Sequence, residues 1–302
     1  MRKVRFMPRD PRQITRRRLQ FFFALILVGL LYAQWQLSDG PAVVLSPPAK
    51  VLLAAESVGI DPFEKLLRND PLAALIEARA RHIREVPDYQ CVMVKQELLP
   101  SGMSEEQEIN VKFRAEPYSV FMEWTRNPGL AFRALYVKGR WTDPDASDPA
   151  DRDLAVAQPG KIAQLFVKSI KQPIHGSLAK RTSRRFLDDF GFQRTLDMLI
   201  RFCEIAKTKG ELSLEFCGES HFDGREIWVI RRHLPYTGAD GFYPDRTAEI
   251  YIDKQYHVPV AIYCFSDEAK DPANLIAKYE YRSIHMRPGL TEKDFEPTTY
   301  GM

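Results

Sequence analysis

The chain has 302 residues, of which 45% are hydrophobic and 27% are charged, the composition of a globular protein with a full hydrophobic core. Its formal net charge is +3, but the first eighteen residues hold eight Lys or Arg and one Asp. The remainder therefore carries 35 basic and 39 acidic residues, a net charge of −4, which excludes a broad basic surface for nucleic acid. We expect no nucleic-acid partner.

A long apolar segment follows the basic leader of residues 1–18. Residues 19–37 contain no charged side chain, and their number matches a helix that spans a bilayer. The arginines of the leader flank one end, and Tyr32 and Trp35 lie near the other, as in an interfacial belt. We predict a transmembrane signal anchor in the cytoplasmic (inner) membrane, with the amino terminus inside and the main domain in the periplasm.

A cleaved signal peptide is the alternative, because it has the same basic and apolar composition. The small-x-small cleavage pattern is poor here, with Leu31 three places before Ala33. A cleaved chain would be secreted or periplasmic.

Beyond the apolar segment we predict a linker and lead-in over residues 38–69, which begins with a Pro-rich spacer. The extracytoplasmic domain is predicted over residues 70–302. It opens with a helix over residues 71–86, capped by Asp70. The side chains expected on the packed face of this helix are Leu72, Ile76, Ala80 and Ile83.

Short segments rich in Val, Phe, Tyr and Trp then alternate with Gly or Pro turns and predict strands. These strands cover residues 89–98, 108–115, 118–125, 131–141, 211–220 and 225–233, and residues 246–284 supply three more. A second helix is predicted over residues 190–206. Such closely spaced strands run antiparallel, since parallel neighbours need longer crossovers. The prediction is an α+β fold: a single curved antiparallel sheet, an incomplete barrel, with helices on its concave face.

Two charged stretches separate the strands from the second helix. Residues 143–153 contain five Asp but lack the Gly and Glu of a helix-loop-helix calcium site, so we expect no metal there. Residues 161–185 contain seven Lys or Arg and no acid. This stretch is typical of a surface that binds anionic headgroups or phosphorylated ligands. The alternative is a solvated face whose charge is balanced by the acidic stretch.

The sequence contains no recognisable catalytic motif. It has no His-Glu-x-x-His, no Gly-x-Ser-x-Gly, no phosphate-binding glycine loop and no dinucleotide fingerprint. We therefore expect a protein that is not an enzyme and has no cofactor; a hydrolase would need acids and histidines that only folding assembles.

Four cysteines are widely separated, which excludes a compact thiol redox or zinc motif. They are Cys91, Cys203, Cys217 and Cys264. Outside the cytoplasm two disulfides are possible among three pairings, although a chain of this length does not need them.

Several blocks resemble one bacterial family in the same order. They are residues 89–97, 109–114, 117–124, 134–139, 248–253, 258–260, 277–281 and 289–295. Over about residues 72–295 the chain resembles the domain of unknown function 1571, found mainly in planctomycetes, and residues 143–185 match least. This resemblance implies no catalytic residues. The turn from Asp253 to Pro259 and Val260 is also similar to that of periplasmic lipoprotein carriers, which implies an incomplete barrel around helices.

Aromatic side chains on the strands, combined with the anchor, favour a groove for a lipid or a lipidated protein. The residues predicted to line this groove are Phe113, Trp124, Trp228, Tyr279 and Tyr281. The alternative is that they fill a dry core and that the domain is a structural or interaction module presenting a sheet surface to an envelope partner. In both cases the membrane is a partner through residues 19–37.

Overall fold

The computed structural model of the chain describes residues 60–160, 167–239 and 241–302, all of which fall in one unit, Leu45–Met302. The predicted leader, the predicted anchor and most of the predicted linker lie outside the described residues. Among the described residues, no helix is long and apolar enough to span a membrane.

Two runs of strands, one before and one after the longest described helix, form the sheet. The first run is β1 (Asp88–Leu99), β2 (Gly102–Met103), β3 (Gln107–Arg114), β4 (Ser119–Arg126), β5 (Ala131–Val137), β6 (Leu154–Pro159) and β7 (Ile170–Pro173). The second run is β8 (Ser213–Phe222), β9 (Arg225–His233), β10 (Thr247–Asp253), β11 (Pro259–Phe265) and β12 (Leu275–Met286). Most of these strands match the predicted ones within a few residues.

The two runs join at the first and last strands to give one 12-stranded sheet with the order β7-β6-β5-β4-β3-β1-β12-β11-β10-β9-β8, while β2 pairs with β1 alone. All pairs are antiparallel, and at the junction Met93 lies opposite Tyr281. The edge strands β7 and β8 do not pair with each other, so the sheet is open. The predicted single antiparallel α+β sheet is confirmed.

Four α-helices occur in the described residues: α1 (Pro62–Asn69), α2 (Pro71–Glu85), α3 (Ser177–Thr182) and α4 (Phe192–Lys209). The Asp70 side chain accepts from the Ala73 amide at 3.0 Å, as predicted for the cap of α2. Helix α4 ends at Gly210, which is left-handed. Its start requires Gly191, whose φ is +110° and whose added Cβ would lie 3.1 Å from the Tyr89 hydroxyl.

Helices α1, α2 and α4 pack against one half of the sheet, on the face that carries Ile230, Ile250 and Ile262, here called the helix face. One side of α4 is buried against this face. Its buried side chains are Phe192, Leu196, Leu199, Ile200, Cys203 and Ala206. This core is filled by side chains, and it fixes α4 beside the centre of the sheet.

The predicted packed face of α2 is correct at Leu72, which is buried, and wrong at the other three positions. Ile76 and Ile83 are 44% and 49% exposed, whereas Leu75, Ala78 and His82 are buried. Helix α2 packs between α1 and α4. The side of α2 that is buried there includes the small side chain of Ala78 and the polar side chain of His82. The more apolar isoleucines therefore face solvent.

Five elements were not predicted: α1, α3, β2, β6 and β7. Helix α1 lies in the stretch assigned to the linker and lead-in, yet its Phe63 and Leu67 are buried in the core. The packed part of the chain therefore begins before residue 70. Strand β2 has only two residues and lies between two predicted strands. The elements α3, β6 and β7 lie in or between the acidic and basic stretches.

The carboxyl-terminal segment covers the opposite face of the sheet over β3 to β5, here called the tail face. Tyr300 stacks on Phe121 with ring centroids 3.6 Å apart, and Asp294 accepts from Lys112 at 2.8 Å. This segment contains a 3₁₀ helix, Glu292–Phe295, in which the Thr291 amide donates to Asp294 at 3.0 Å.

Candidate ligand-binding cavity

The helix face is covered differently over its two halves, and a cavity of about 700 Å³ lies between them. Helices α1, α2 and α4 cover β8 to β11 closely. Over β3 to β6 the covering chain is residues 172–190, here called the wall segment, which contains α3. The cavity is enclosed by the sheet, by one side of α4 and by the wall segment.

Small side chains at paired positions make this space. Ala134 on β5 lies opposite Ala157 on β6, and both line the cavity. On the other side Cys264 lies between Ala248 and Ala277 in one row across β10, β11 and β12. Alanines at facing positions remove the atoms that would otherwise meet the covering chain, so the core is not filled there.

Most of the lining is apolar. Its larger apolar side chains are Met93, Leu99, Ile109, Met122, Trp124, Leu130, Ile174, Leu178, Phe186, Leu187, Phe190, Met198, Leu199, Phe202, Ile262, Tyr279 and Tyr281. Small-molecule sites typically measure about 300–1,000 Å³ and are lined mainly by apolar and aromatic side chains with few polar groups. The cavity fits this description.

Leu130 marks where the cavity meets solvent. It lines the cavity and is 61% exposed, directly after a turn in which Asn127 and Gly129 have positive φ. An apolar side chain at such a rim can contact an apolar ligand or surface that approaches the opening.

A buried polar cluster ties the wall segment to the centre of the sheet. Lys95 donates to Glu97 and to the Ser183 hydroxyl, both at 2.8 Å, and the Tyr279 hydroxyl donates to Glu97 at 2.7 Å. Burial alone would raise the pKa of Glu97, but the Lys95 charge and these hydrogen bonds outweigh it and hold the pKa below its usual range. The carboxylate therefore stays charged and keeps Ser183 in place.

Two arginines bring positive charge to the cavity wall. Arg232 on β9 is 2% exposed, and its Nη2 donates to both carboxylate oxygens of Asp245 at 2.8 and 2.9 Å. Arg185 in the wall segment lies with its guanidinium 5.9 Å from the centre of the Tyr279 ring. The cavity thus combines apolar walls with a small number of charged groups.

Three of the five predicted groove residues come together at this cavity. Trp124, Tyr279 and Tyr281 line it, and the Trp124 indole donates to Gln107 at 3.2 Å. Whether they bind a ligand stays a prediction.

The other two predicted groove residues lie elsewhere. Phe113 stacks on Tyr89 at 4.8 Å between ring centroids and packs beside the start of α4. Trp228 is in the filled core, where its indole donates to Glu64 at 3.3 Å and its ring lies 5.3 Å from Phe63. Both residues were predicted because they are aromatic and lie on strands. This property does not distinguish residues that line a cavity from residues that fill a core.

The charged residues of the cavity were not among the predicted site residues, although the sequence carries a signal for them. Lys95 and Glu97 lie on the same face of β1 as Met93, because they follow it at intervals of two residues. Arg232 lies on the same face of β9 as Ile230 for the same reason. A charged residue at an inward position of a strand must find a buried partner. The rule therefore marks Lys95, Glu97 and Arg232 as buried charged residues from the sequence alone. It does not predict which residues they pair with.

The four cysteines, all within the described chain, are free thiols. The part of the chain that the structure describes holds no group of three or more His, Cys, Asp or Glu placed to bind a metal ion.

The solved structures similar to this chain include MucB, which is 11% identical over 75% of this chain, with a TM-score of 0.44. The chain spans 62% of the length of MucB. An outer membrane lipoprotein-sorting protein domain from Vibrio parahaemolyticus is 12% identical, with 76% of this chain and 98% of that chain covered and a TM-score of 0.34. Lipoprotein LppX from Mycobacterium tuberculosis is 11% identical, with 74% and 99% covered and a TM-score of 0.34. Likenesses at these values carry no information on ligand or activity.

No curated protein matches the chain. The sequence model of the family described as "Protein of unknown function (DUF1571)" matches residues 86–300, which is more than half of the chain and agrees with the resemblance found in the sequence. The chain belongs to this family of proteins of unknown function, DUF1571.

Proposed function

We propose that this protein is a membrane-anchored envelope protein that holds a lipid, or the lipid of a lipidated protein, in the cavity between its sheet and its wall segment. The observation that carries the proposal is the cavity itself, about 700 Å³ with predominantly apolar walls. Each methylene group moved from water into such a site contributes about 0.8 kcal/mol to binding. An acyl chain gains the most from this kind of surface.

The polar groups of the cavity support a binding role rather than a catalytic one. The Lys95 and Glu97 side chains bond to one another and to the wall segment, which fixes the shape of the site. Both carboxylate oxygens of Asp245 accept hydrogen bonds from Arg232. The Ser183 hydroxyl accepts from Lys95 at 2.8 Å and donates to Glu97 at 3.1 Å. In this proposal it joins the wall segment to the sheet and does not act as a nucleophile.

The anchor is the second part of the proposal and is supported by the sequence. Residues 19–37 form an uncharged apolar segment behind a basic leader, and tethering there keeps the domain at the periplasmic side of the cytoplasmic membrane. Acyl lipids and lipidated proteins are abundant at that surface, so the tether raises their local concentration around the opening.

The alternative, an interaction module for an envelope partner, is favoured by one observation. The outer edge of β8 has no strand partner among the described residues. An open edge accepts an added strand from another protein, with main-chain hydrogen bonds supplying the affinity.

Lipid extraction tests the leading proposal. The full chain is purified from a bacterial host, extracted with organic solvent, and the extract is analysed by mass spectrometry for acyl lipids. The comparison is with Ala157→Phe, which places a ring in the partly exposed cavity wall, and with Ala80→Phe on the exposed side of α2. All three proteins carry the same residues 19–37, so lipid bound around the predicted anchor contributes equally to each extract and does not affect the comparison.

We expect the parent chain and Ala80→Phe to carry an acyl species in near-equal amounts, and Ala157→Phe to carry several-fold less. Equal lipid in all three proteins would refute the cavity as a lipid site. In that event one dominant protein crosslinked through β8 in cells would support the interaction module.

A further inference from the structure

Arg232 is a buried cation with hydrogen-bond donors left over. Its Nη2 is used by Asp245, but Nε and Nη1 are buried and have no hydrogen-bond partner among the residues that the structure describes. The neighbouring thiols of Cys203 and Cys264 are weak acceptors. A buried donor without an acceptor is unfavourable, and Arg232 lines the cavity, so an acceptor held there would remove this cost.

Arg185 is a second cation at the same cavity. It contacts the ring of Tyr279, and no carboxylate in the described chain forms an ion pair with it. Asp189 acts on it only through space. The positive charge of Arg185 is therefore not neutralised by a direct partner.

The two guanidinium groups lie near one point of the cavity. Arg232, Ala248 and Cys264 occupy one row across β9, β10 and β11, and adjacent strands are about 4.8 Å apart. Burial raises the pKa of Cys264 to about 12, and the charges of both Arg232 and Arg185 oppose this rise. Cys264 thus lies near both arginines.

The remaining charged groups of the cavity do not cancel this positive site. Lys95 is paired with Glu97, and Asp245 is paired with Arg232. Glu105, Arg181 and Asp189 also line the cavity, but they are exposed. One unneutralised cation at the cavity wall, with the buried guanidinium of Arg232 beside it, matches an anionic group with several acceptor oxygens.

We infer that the cavity takes an amphiphile with an anionic carboxylate or phosphate head, which binds Arg185 and draws the guanidinium of Arg232 towards it, while the acyl chain lies along the apolar wall. This inference rests on the proposed function and narrows it. A lipid with a neutral head would leave these donors unused, so the inference favours fatty acids and acyl phosphates over neutral glycerides.

Matched pairs of ligands test the inference. Binding of palmitate is compared with hexadecanol, and binding of palmitoyl lysophosphatidate with monopalmitoylglycerol, using the full chain held in amphipol without free detergent. Each pair differs in its head group, and the two pairs distinguish a carboxylate from a phosphate source. We expect at least one anionic member to bind about tenfold or more tightly than its neutral partner, as for a hydrogen bond to a charged group.

Two variants assign the preference to the arginines. Arg185→Gln removes the unneutralised charge, and the double variant Arg232→Met, Asp245→Asn removes the buried pair without leaving a lone charge. Each is expected to lose the preference for the anionic ligand and to keep the affinity for the neutral one. Arg231→Gln is the control, because Arg231 lies on the opposite face of β9 and is bound to Glu215 and Glu249 at 3.2 and 3.0 Å.

Circular dichroism checks that each variant is folded. If the double variant does not fold, the test rests on Arg185→Gln alone. Equal binding within both ligand pairs, or a preference that survives in Arg185→Gln, would overturn the inference while leaving the lipid cavity intact. Absence of binding by all four ligands would instead contradict the proposed function.

Discussion

His82 shows at the residue scale how burial controls charge on the helix face. Its ring is 3% exposed and lies edge-on to Phe192 at 5.8 Å between centroids, and its Nδ1 has no hydrogen-bond partner among the described residues. Burial lowers the pKa of His82 from 6.5 to about 4. The side chain is therefore neutral in the folded protein over the physiological range.

We predict that this histidine makes the fold sensitive to mild acid. Between about pH 6.5 and pH 4 the unfolded chain binds a proton at this position and the folded chain does not, so stability falls as the pH falls. The loss reaches about 2 kcal/mol by about pH 5. Urea unfolding at about pH 7.5 and pH 5 should show a smaller drop in His82→Leu than in the parent chain.

The exposed His285 gives the control for this experiment. His285→Leu should keep the full pH dependence of the parent. An equal drop in the parent and in His82→Leu would show that other groups cause the acid sensitivity.

Single residues also define the limit of what the sequence predicts about the site. The alternation of β12 places Tyr279 and Tyr281 on one face, and both line the cavity. In the sequence Arg185 is one member of the basic stretch 161–185, which fits either an anionic ligand or a solvated face. Its position at the cavity depends on the path of the wall segment, which no local pattern determines.

Helix α1 is the element whose importance the sequence hides most. It has eight residues, with Asp61 accepting from the Phe63 amide at 2.7 Å as an N-cap. Phe63 stacks on His257 with centroids 3.9 Å apart, and Leu67 is fully buried. The helix thus completes the layer that covers β8 to β11.

We predict that Leu67→Ala lowers the free energy of unfolding by about 2–5 kcal/mol, the usual cost of deleting a fully buried leucine. Lys65→Ala, on the exposed side of the same helix, should change it by less than about 0.5 kcal/mol. Equilibrium urea unfolding measures both. Similar values for the two variants would mean that α1 is not part of the cooperative core.

Elements with strong alternation and clear turns were predictable, and short ones were not. The hairpin from β8 to β9 turns at Asp223 and Gly224, both with positive φ, as the sequence predicts. By contrast, β7 has four residues at a sheet edge, and β6 is rich in small side chains. Strand β7 is too short to show a period. Strand β6 buries the consecutive residues Ala155 and Val156, which point to opposite faces, so its apolar residues do not alternate with polar ones.

Membrane topology belongs to the scale of the whole molecule. The basic leader and residues 19–37 predict an amino terminus inside the cell and the described domain outside. In spheroplasts with an intact cytoplasmic membrane, we expect protease to remove a tag at the carboxyl terminus and to spare a tag at the amino terminus. Loss of the amino-terminal tag from the mature protein would indicate a cleaved signal, and protection of the carboxyl-terminal tag would refute the predicted orientation.

The open antiparallel sheet could be predicted at this scale, but the cavity could not. The cavity exists because the helices cover one half of the helix face and the wall segment covers the other. Hydrophobic alternation indicates only that a face is buried and does not indicate what buries it. The order of the strands was equally hidden, because β1 finds its partner almost two hundred residues away.

The pairing of β1 with β12 also affects how the protein is made. The pairing of β1 with β12 cannot form until the last strand has been synthesised and, in the proposed topology, delivered across the membrane. Until then β1 and β12 are both unpaired at this edge. Pairings between distant segments slow folding, and such edges invite wrong associations. Biogenesis of this protein should therefore depend on periplasmic chaperones more than its antiparallel hairpins alone would require.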